Sequence, residues 1–233
     1  MKLLDGKTLS KTIQSEIADA VQQRTDAGQR APHLAAVLVG NDGASETYVG
    51  HKVRACERVG FRSTLVRLDD DTTQDRLLSV IDELNRDDEV DGFIVQLPLP
   101  DHIDADAVIQ AIDPRKDVDG FHPINVGRMT LNMPAYIPAT PSGILTLLDR
   151  FGVETSGKHC VVVGRSNIVG RPMSILMSRS AAPGPDHRDH RPQDGDVDGL
   201  IRTGPRPTEG RLHLPHIGFL GHLERDQTAL VID

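Results

Sequence analysis

Tyr48 and Lys52 stand four residues apart in SETYVGHK (45–52). On a helix that spacing puts both side chains on one face, about one turn apart. A phenol and an ammonium held there can work on one substrate, the lysine passing a proton while the tyrosine orients the ring. The same two residues serve equally well as amphipathic side chains at a half-exposed border. Gln96 ends the apolar run VDGFIVQ (90–96), before Leu97 and Pro98. Ligands of parallel sheets collect at the carboxyl ends of strands, and a neutral amide there offers a heterocycle both a donor and an acceptor. An amide that caps backbone groups before the prolines is the alternative. Asp117 and Asp119, in KDVDGFHP (116–123), can recognise a cationic or amino-substituted ring. They can also begin a magnesium or calcium site, although no third ligand is evident, or simply turn the chain.

A fourth group is Gly164, Arg165 and Ser166 in CVVVGRSNIVG (160–170). A strand running into a glycine and then a helix aims helix N–H groups at a phosphate, and Arg165 can add a second anion contact such as the 2'-phosphate of NADP. The Gly-x5-Gly spacing departs from the usual dinucleotide fingerprint. A tight strand–helix turn beside a solvated arginine is the other reading.

The elements that must position these groups follow from periodicity. Leu9, Ile13, Ile17, Ala20 and Val21 mark an amphipathic helix over 8–27. HLAAVLVG (33–40) reads as a buried strand, and Ser45 can cap a helix over 46–58 whose packing stripe is Val49, Val53 and Cys56. Strand 63–68, a helix from Thr73 to Asn85, a strand at 90–100 and a helix near 104–112 complete a βαβαβα rhythm, that of a parallel sheet covered by helices. Residues 113–139 read as a long structured connection. Pro141 can open a helix that Gly152 ends, before the second strand–glycine–helix start. The change of character near 140 divides the chain into a first domain, 1–139, and a second, 140–233.

A net charge of −8 argues against a nucleic-acid or anionic-membrane partner. Two cysteines without a thiol motif fit a cytoplasmic protein without disulfides. No apolar stretch has the length of a signal or a membrane span. From 183 to 228, prolines and histidines crowd and no period survives, so that segment reads as irregular or disordered. HRDH (187–190) and HLPH (213–216) lack a scaffold to fix metal geometry, and no metal is expected.

Taken in order, SETYVGHK, DGFIVQLPLP, DPRKDVDGFHPINVGR, TPSGI and GRSNIVGRP closely resemble the bifunctional methylenetetrahydrofolate dehydrogenase/methenyltetrahydrofolate cyclohydrolase family. The resemblance covers residues 1–182. It implies a two-domain α/β fold: an N-terminal three-layer α/β folate domain and a Rossmann-like NADP-binding domain, incomplete in this chain. It implies NADP-dependent oxidation of 5,10-methylenetetrahydrofolate, hydrolysis of the product to 10-formyltetrahydrofolate, and a cytoplasmic homodimer. By the same resemblance Lys52 is the essential lysine, Tyr48 stacks on the folate, Gln96 supports the lysine and Asp119 binds the pterin. Gly164, Arg165 and Ser166 form the cofactor loop.

Two departures stand out. The family's Pro-Cys-Thr-Pro reads Pro138-Ala139-Thr140-Pro141 here, a conservative change if the cysteine only packs. After residue 182 the family's later βα units are not recognisable until TALVID (228–233). Read one nucleotide forward, the codons for PDHRDHRPQ (185–193) permit a strand-like Thr-Ile-Val-Thr-Ile followed by His-Arg. A frameshift is therefore one expectation, and a divergent tail that has lost half the cofactor domain is the other. A cyclohydrolase-only or folate-binding remnant and a non-catalytic scaffold stand as alternative functions.

Overall fold

The computed structural model describes residues 3–179 and the backbone of 229–232. The 183–228 expectation lies outside the described residues. A first helix, α1 (Gly6–Asp26), begins where the Asp5 carboxylate accepts the N–H groups of Lys7 and Thr8. Three strands follow, β1 (His33–Val39), β2 (Arg62–Leu68) and β3 (Gly92–Val95). They form one parallel sheet in the order β2-β1-β3, with Val37 of β1 facing Val66 and Val95. The connecting helices are α2 (Gly43–Arg58) and α3 (Gln74–Arg86), and α4 (Ala105–Ala111) follows β3.

Every residue of β1 is buried, as expected of a central strand covered on both faces. Leu34, Ala36 and Leu38 pack with Ile13 and Ile17 of α1 and Val49 and Cys56 of α2. Their neighbours Ala35, Val37 and Val39 pack with Leu77 and Ile81 of α3 and Val108 of α4. The period of two along one strand thus builds both outer layers.

The sheet is tied at its amino end by Asp91. Its carboxylate takes both Arg30 Nη groups at 2.6 Å and the backbone N–H of His33 at 2.9 Å. Its loss would leave the buried His33 N–H without its acceptor, whereas the Arg30 side chain, 31% exposed, can turn to water. Asp91→Ala is expected to lower unfolding free energy by about 2 kcal/mol, within the cost of an orphaned buried donor, read from urea titration.

The stretch read as a connection, 113–139, contains a further helix, α5 (Pro123–Thr130). Pro123 occupies its first turn, where a missing N–H costs nothing, and the His122 ring nitrogen accepts from Ile124 N at 3.1 Å. Next is α6 (Ala139–Arg150), starting two residues before Pro141. It packs Leu147 and Phe151 against the first core and pairs Arg150 with Glu16 of α1.

The second unit comprises β4 (Cys160–Val163), α7 (Gly170–Met177) and β5 (Ala229–Ile232). β5 pairs antiparallel with β4, whereas a dinucleotide fold sets its first strand among parallel neighbours. Val161 and Val163 are 56% and 62% exposed. A strand of this composition ordinarily lies buried on both faces, so this second sheet is incomplete among the described residues.

Candidate active site

The first sheet has a topological switch point. From β1 the chain moves to β2 on one side, and β3 lies on the other. The crevice at the carboxyl ends of β1 and β3 is where such sheets bind ligands. Three of the groups singled out above come from segments at this edge.

The first is on α2, which follows β1 directly and is capped by Asp42, whose carboxylate accepts from Ser45 N at 2.8 Å. Lys52 faces inward at 4% exposure, while Tyr48, one turn earlier, is half-buried. The other tyrosine, Tyr136, belongs to the core. Lys52 therefore departs from an ordinary amphipathic lysine, whose ammonium reaches water. Cys56 lies one turn further along α2 and is wholly buried. Burial pushes its thiol up to about 12, so iodoacetamide at pH 8 is expected to leave Cys56 unlabelled in the folded chain, read by intact mass and peptide mapping.

The second group is Gln96, just past β3. Its backbone N–H continues the ladder to Val37 O at 2.9 Å, and its side-chain Nε2 donates to Leu97 O at 2.7 Å. The amide oxygen is buried without a hydrogen-bond partner. Leaving such an acceptor unmade costs about 1–3 kcal/mol, which marks it as a position for an incoming donor. The backbone-capping reading of Gln96 accounts for its nitrogen but not for its oxygen.

The third is the 116–123 loop. Asp117 makes a parallel bridge with Phe93, so the loop runs alongside β3 toward the same edge. The Lys52 ammonium lies 3.8 Å from Asp119 Oδ1, whose side chain is 16% exposed. A recess beside them is lined by Val95, Leu97, Asp117, Asp119 and Phe121. Gly120 makes the turn possible, at φ 70° with its Cα against the backbone of Ile137 and Pro138. A Cβ there would stand 2.7 Å from Ile137 C, so only glycine fits.

Asp117 is held by other partners than Asp119. Its oxygens accept from Phe121 N, His122 N and Asn125 Nδ2, which answers the metal alternative with another occupant. Burial pushes its carboxyl up from the ordinary range, and those donors pull it back. Lys116 is likewise committed, donating to Leu84 O and Asp87 O at the end of α3. The sequence reading passed over Asn125 and the buried Lys116; a carboxylate followed by an amide eight residues on is too loose a pattern to find them.

The fourth group lies in the second unit. Gly164, Arg165 and Ser166 form an exposed turn between β4 and α7. Ser166 Oγ accepts from Val169 N and Gly170 N at 3.1 and 3.2 Å, capping the helix itself. Gly170 sits so close to the turn that a Cβ would lie 2.5 Å from Gly164 O and 2.7 Å from Arg165 N. This close helix–turn packing is that of a dinucleotide-binding turn. With the N–H groups at the start of α7 taken up by Ser166, the exposed Arg165 is the group that offers a phosphate its charge.

The family model for the tetrahydrofolate dehydrogenase/cyclohydrolase catalytic domain matches residues 4–119. The model for the NAD(P)-binding domain of the same proteins matches residues 138–184. A bifunctional protein FolD from Flavobacterium johnsoniae is 64% identical over 184 residues, covering 79% of this chain and 62% of its own length. The chain thus spans about three fifths of the length of that curated relative. Among solved structures, the FolD dehydrogenase/cyclohydrolase of Campylobacter jejuni is 46% identical with a TM-score of 0.74, over 76% of this chain and 63% of that one. The Trypanosoma brucei enzyme, solved with NADP and an inhibitor, is 37% identical with a TM-score of 0.70, over 74% and 59%.

Proposed function

Because this chain belongs to the tetrahydrofolate dehydrogenase/cyclohydrolase family, we propose that it works on one-carbon tetrahydrofolates. It oxidises 5,10-methylenetetrahydrofolate with NADP and hydrolyses the resulting 5,10-methenyltetrahydrofolate to 10-formyltetrahydrofolate. The observation that carries this reading is the buried Lys52 paired with the partly open Asp119 at the ligand-binding edge of the sheet. The unpartnered oxygen of Gln96 on that edge supports it.

The roles follow from the chemistry. Asp119 accepts hydrogen bonds from the amino-substituted pterin edge, and Tyr48 lies along the ring. Water attacks the methenyl carbon between N5 and N10. The Lys52 ammonium gives a proton to N5 as the carbon–N5 bond breaks and recovers one from the adduct's hydroxyl; the second proton of the attacking water leaves to solvent. Gln96 accepts a hydrogen bond from the lysine or the substrate and so holds the donor in line. Gly164, Arg165 and Ser166 would hold the phosphates of NADP, which supplies a hydride acceptor when bound. For that step the chain's own task is alignment of two bound partners.

The domain division at 139/140, a homodimeric state and a cytoplasmic location belong to the same reading. Among the described residues no helix is long and apolar enough to cross a membrane.

A second reading, hydrolysis without oxidation, is favoured by the exposed valines of β4 and its antiparallel partner. Two assays on the purified full chain separate them. Hydrolysis above the spontaneous rate together with NADP-dependent oxidation supports the bifunctional reading. Hydrolysis alone supports the second. Neither activity, in a folded sample that binds no folate analogue, overturns both.

A further inference from the structure

We propose that Asp117 is a positioning residue: it fixes the loop on which Asp119 meets Lys52, by gathering N–H donors from both the turn and the next helix. This rests on the folate reading above and names a residue that the reading itself does not need to touch substrate. Asp117 and Asp119 stand two apart in sequence and have opposite fates. Asp119 faces the lysine across 3.8 Å with part of its side chain open. Asp117 is only 2% exposed, with Oδ1 accepting from Phe121 N at 3.3 Å and Oδ2 from His122 N at 2.9 Å and Asn125 Nδ2 at 2.8 Å.

The anchor therefore holds the chain on both sides of Asp119. Asn125 extends it, donating also to Pro114 O at 2.9 Å, which ties the chain just before the loop to the first turn of α5. Lys116 fastens the loop's start to the end of α3 through two 2.7 Å hydrogen bonds. The left-handed Gly120 lies against Ile137 and Pro138 and has no room to shift that way. The Asp117 carboxylate is the side chain that bonds both Phe121 N and His122 N, and so ties residues 121 and 122 to the chain just before Asp119. An asparagine in its place keeps one acceptor and turns an N–H₂ toward groups that are themselves donors.

Asp117→Asn, Asp119→Asn and the double variant of the full chain test this. A reacting group displaced by about 1 Å can cost about 10²-fold in rate, so Asp117→Asn is expected to lower kcat/KM for methenyltetrahydrofolate hydrolysis by about 10²-fold. If it acts through Asp119, it costs less than about 3-fold more when Asp119→Asn is already present, the non-additivity expected of coupled residues. Amide hydrogen exchange should speed up at Phe121 and His122 and stay slow along β1. Additive losses, or faster exchange throughout β1, would make Asp117 a general fold residue and overturn the proposal. If the unaltered chain hydrolyses no folate, the functional reading fails separately, and exchange alone decides. Freed loop amides over an intact β1 then support the anchor, and unchanged loop amides refute it.

Discussion

Lys52→Met should bring hydrolysis of 5,10-methenyltetrahydrofolate down by about 10²–10⁴-fold, the range typical of a lost general acid–base group. On the proposed roles the loss should fall on kcat more than on KM, since Tyr48 and Asp119 would still hold the ring while the proton donor to N5 is gone. Two features of the structure support so large an effect. Lys52 is 4% exposed, so bulk water has poor access to take over its task. Its ionic partner among the described residues, Asp119, also belongs to the proposed site, which ties the proposed proton carrier to the group proposed to place the substrate. The fold should survive, since Asp119 keeps part of its side chain open and can be hydrated once its partner is gone, and methionine fills much of the lysine's volume. A thermal midpoint within a few degrees of the unaltered chain, with hydrolysis at the spontaneous rate, is the expected pair of results. Near-normal turnover in the variant would remove Lys52 from the mechanism.

Gly170→Ala should separate the two half-reactions. A methyl group at this position would lie within 2.7 Å of the backbone of Gly164 and Arg165, far inside van der Waals contact. The turn must then move off the start of α7, and Ser166 loses the two N–H groups that it now caps. NADP-dependent oxidation is expected to fall by about 10²-fold, the cost of misplacing one of two partners that must be aligned. Hydrolysis, which draws on α2, Gln96 and the 116–123 loop, should stay within about 2-fold, as expected for sites that do not couple. The two assays run on one preparation give the answer. Equal losses in both would mean that the second unit also supports the folate cleft. A chain that oxidises no substrate even with Gly170 in place would leave hydrolysis as its only reaction.

Much of this was legible in the residues. The unbroken apolar run at 34–39, after His33, became the buried central strand, because a strand covered on both faces needs apolar side chains on both. The i, i+4 spacing of Tyr48 and Lys52 became a shared helix face, because that relation is local and is settled by helix geometry. The long motifs identified the family, because they run through the site and not only through the core. Helix α5 was missed: eight residues carry too little periodicity, and its cap is a histidine ring nitrogen, not a serine or aspartate. Asp117 was weighed as a metal ligand because its carboxylate looks the same in sequence as that of Asp119. Their difference lies in what the folded loop turns toward each.

The residues by themselves therefore determined the kinds of element, the strand–helix order and the chemical groups on offer. Tertiary structure alone decided that Lys52 is buried, that it meets Asp119, and that Gln96 keeps an acceptor unpaired. It alone decided that β4 pairs antiparallel and leaves its valines in solvent. Helical and strand periodicity come from backbone geometry over a few residues, so a short stretch of sequence encodes them. Contacts between α2 and a loop far along the chain depend on the strand order β2-β1-β3, which long-range packing selects and no local pattern records.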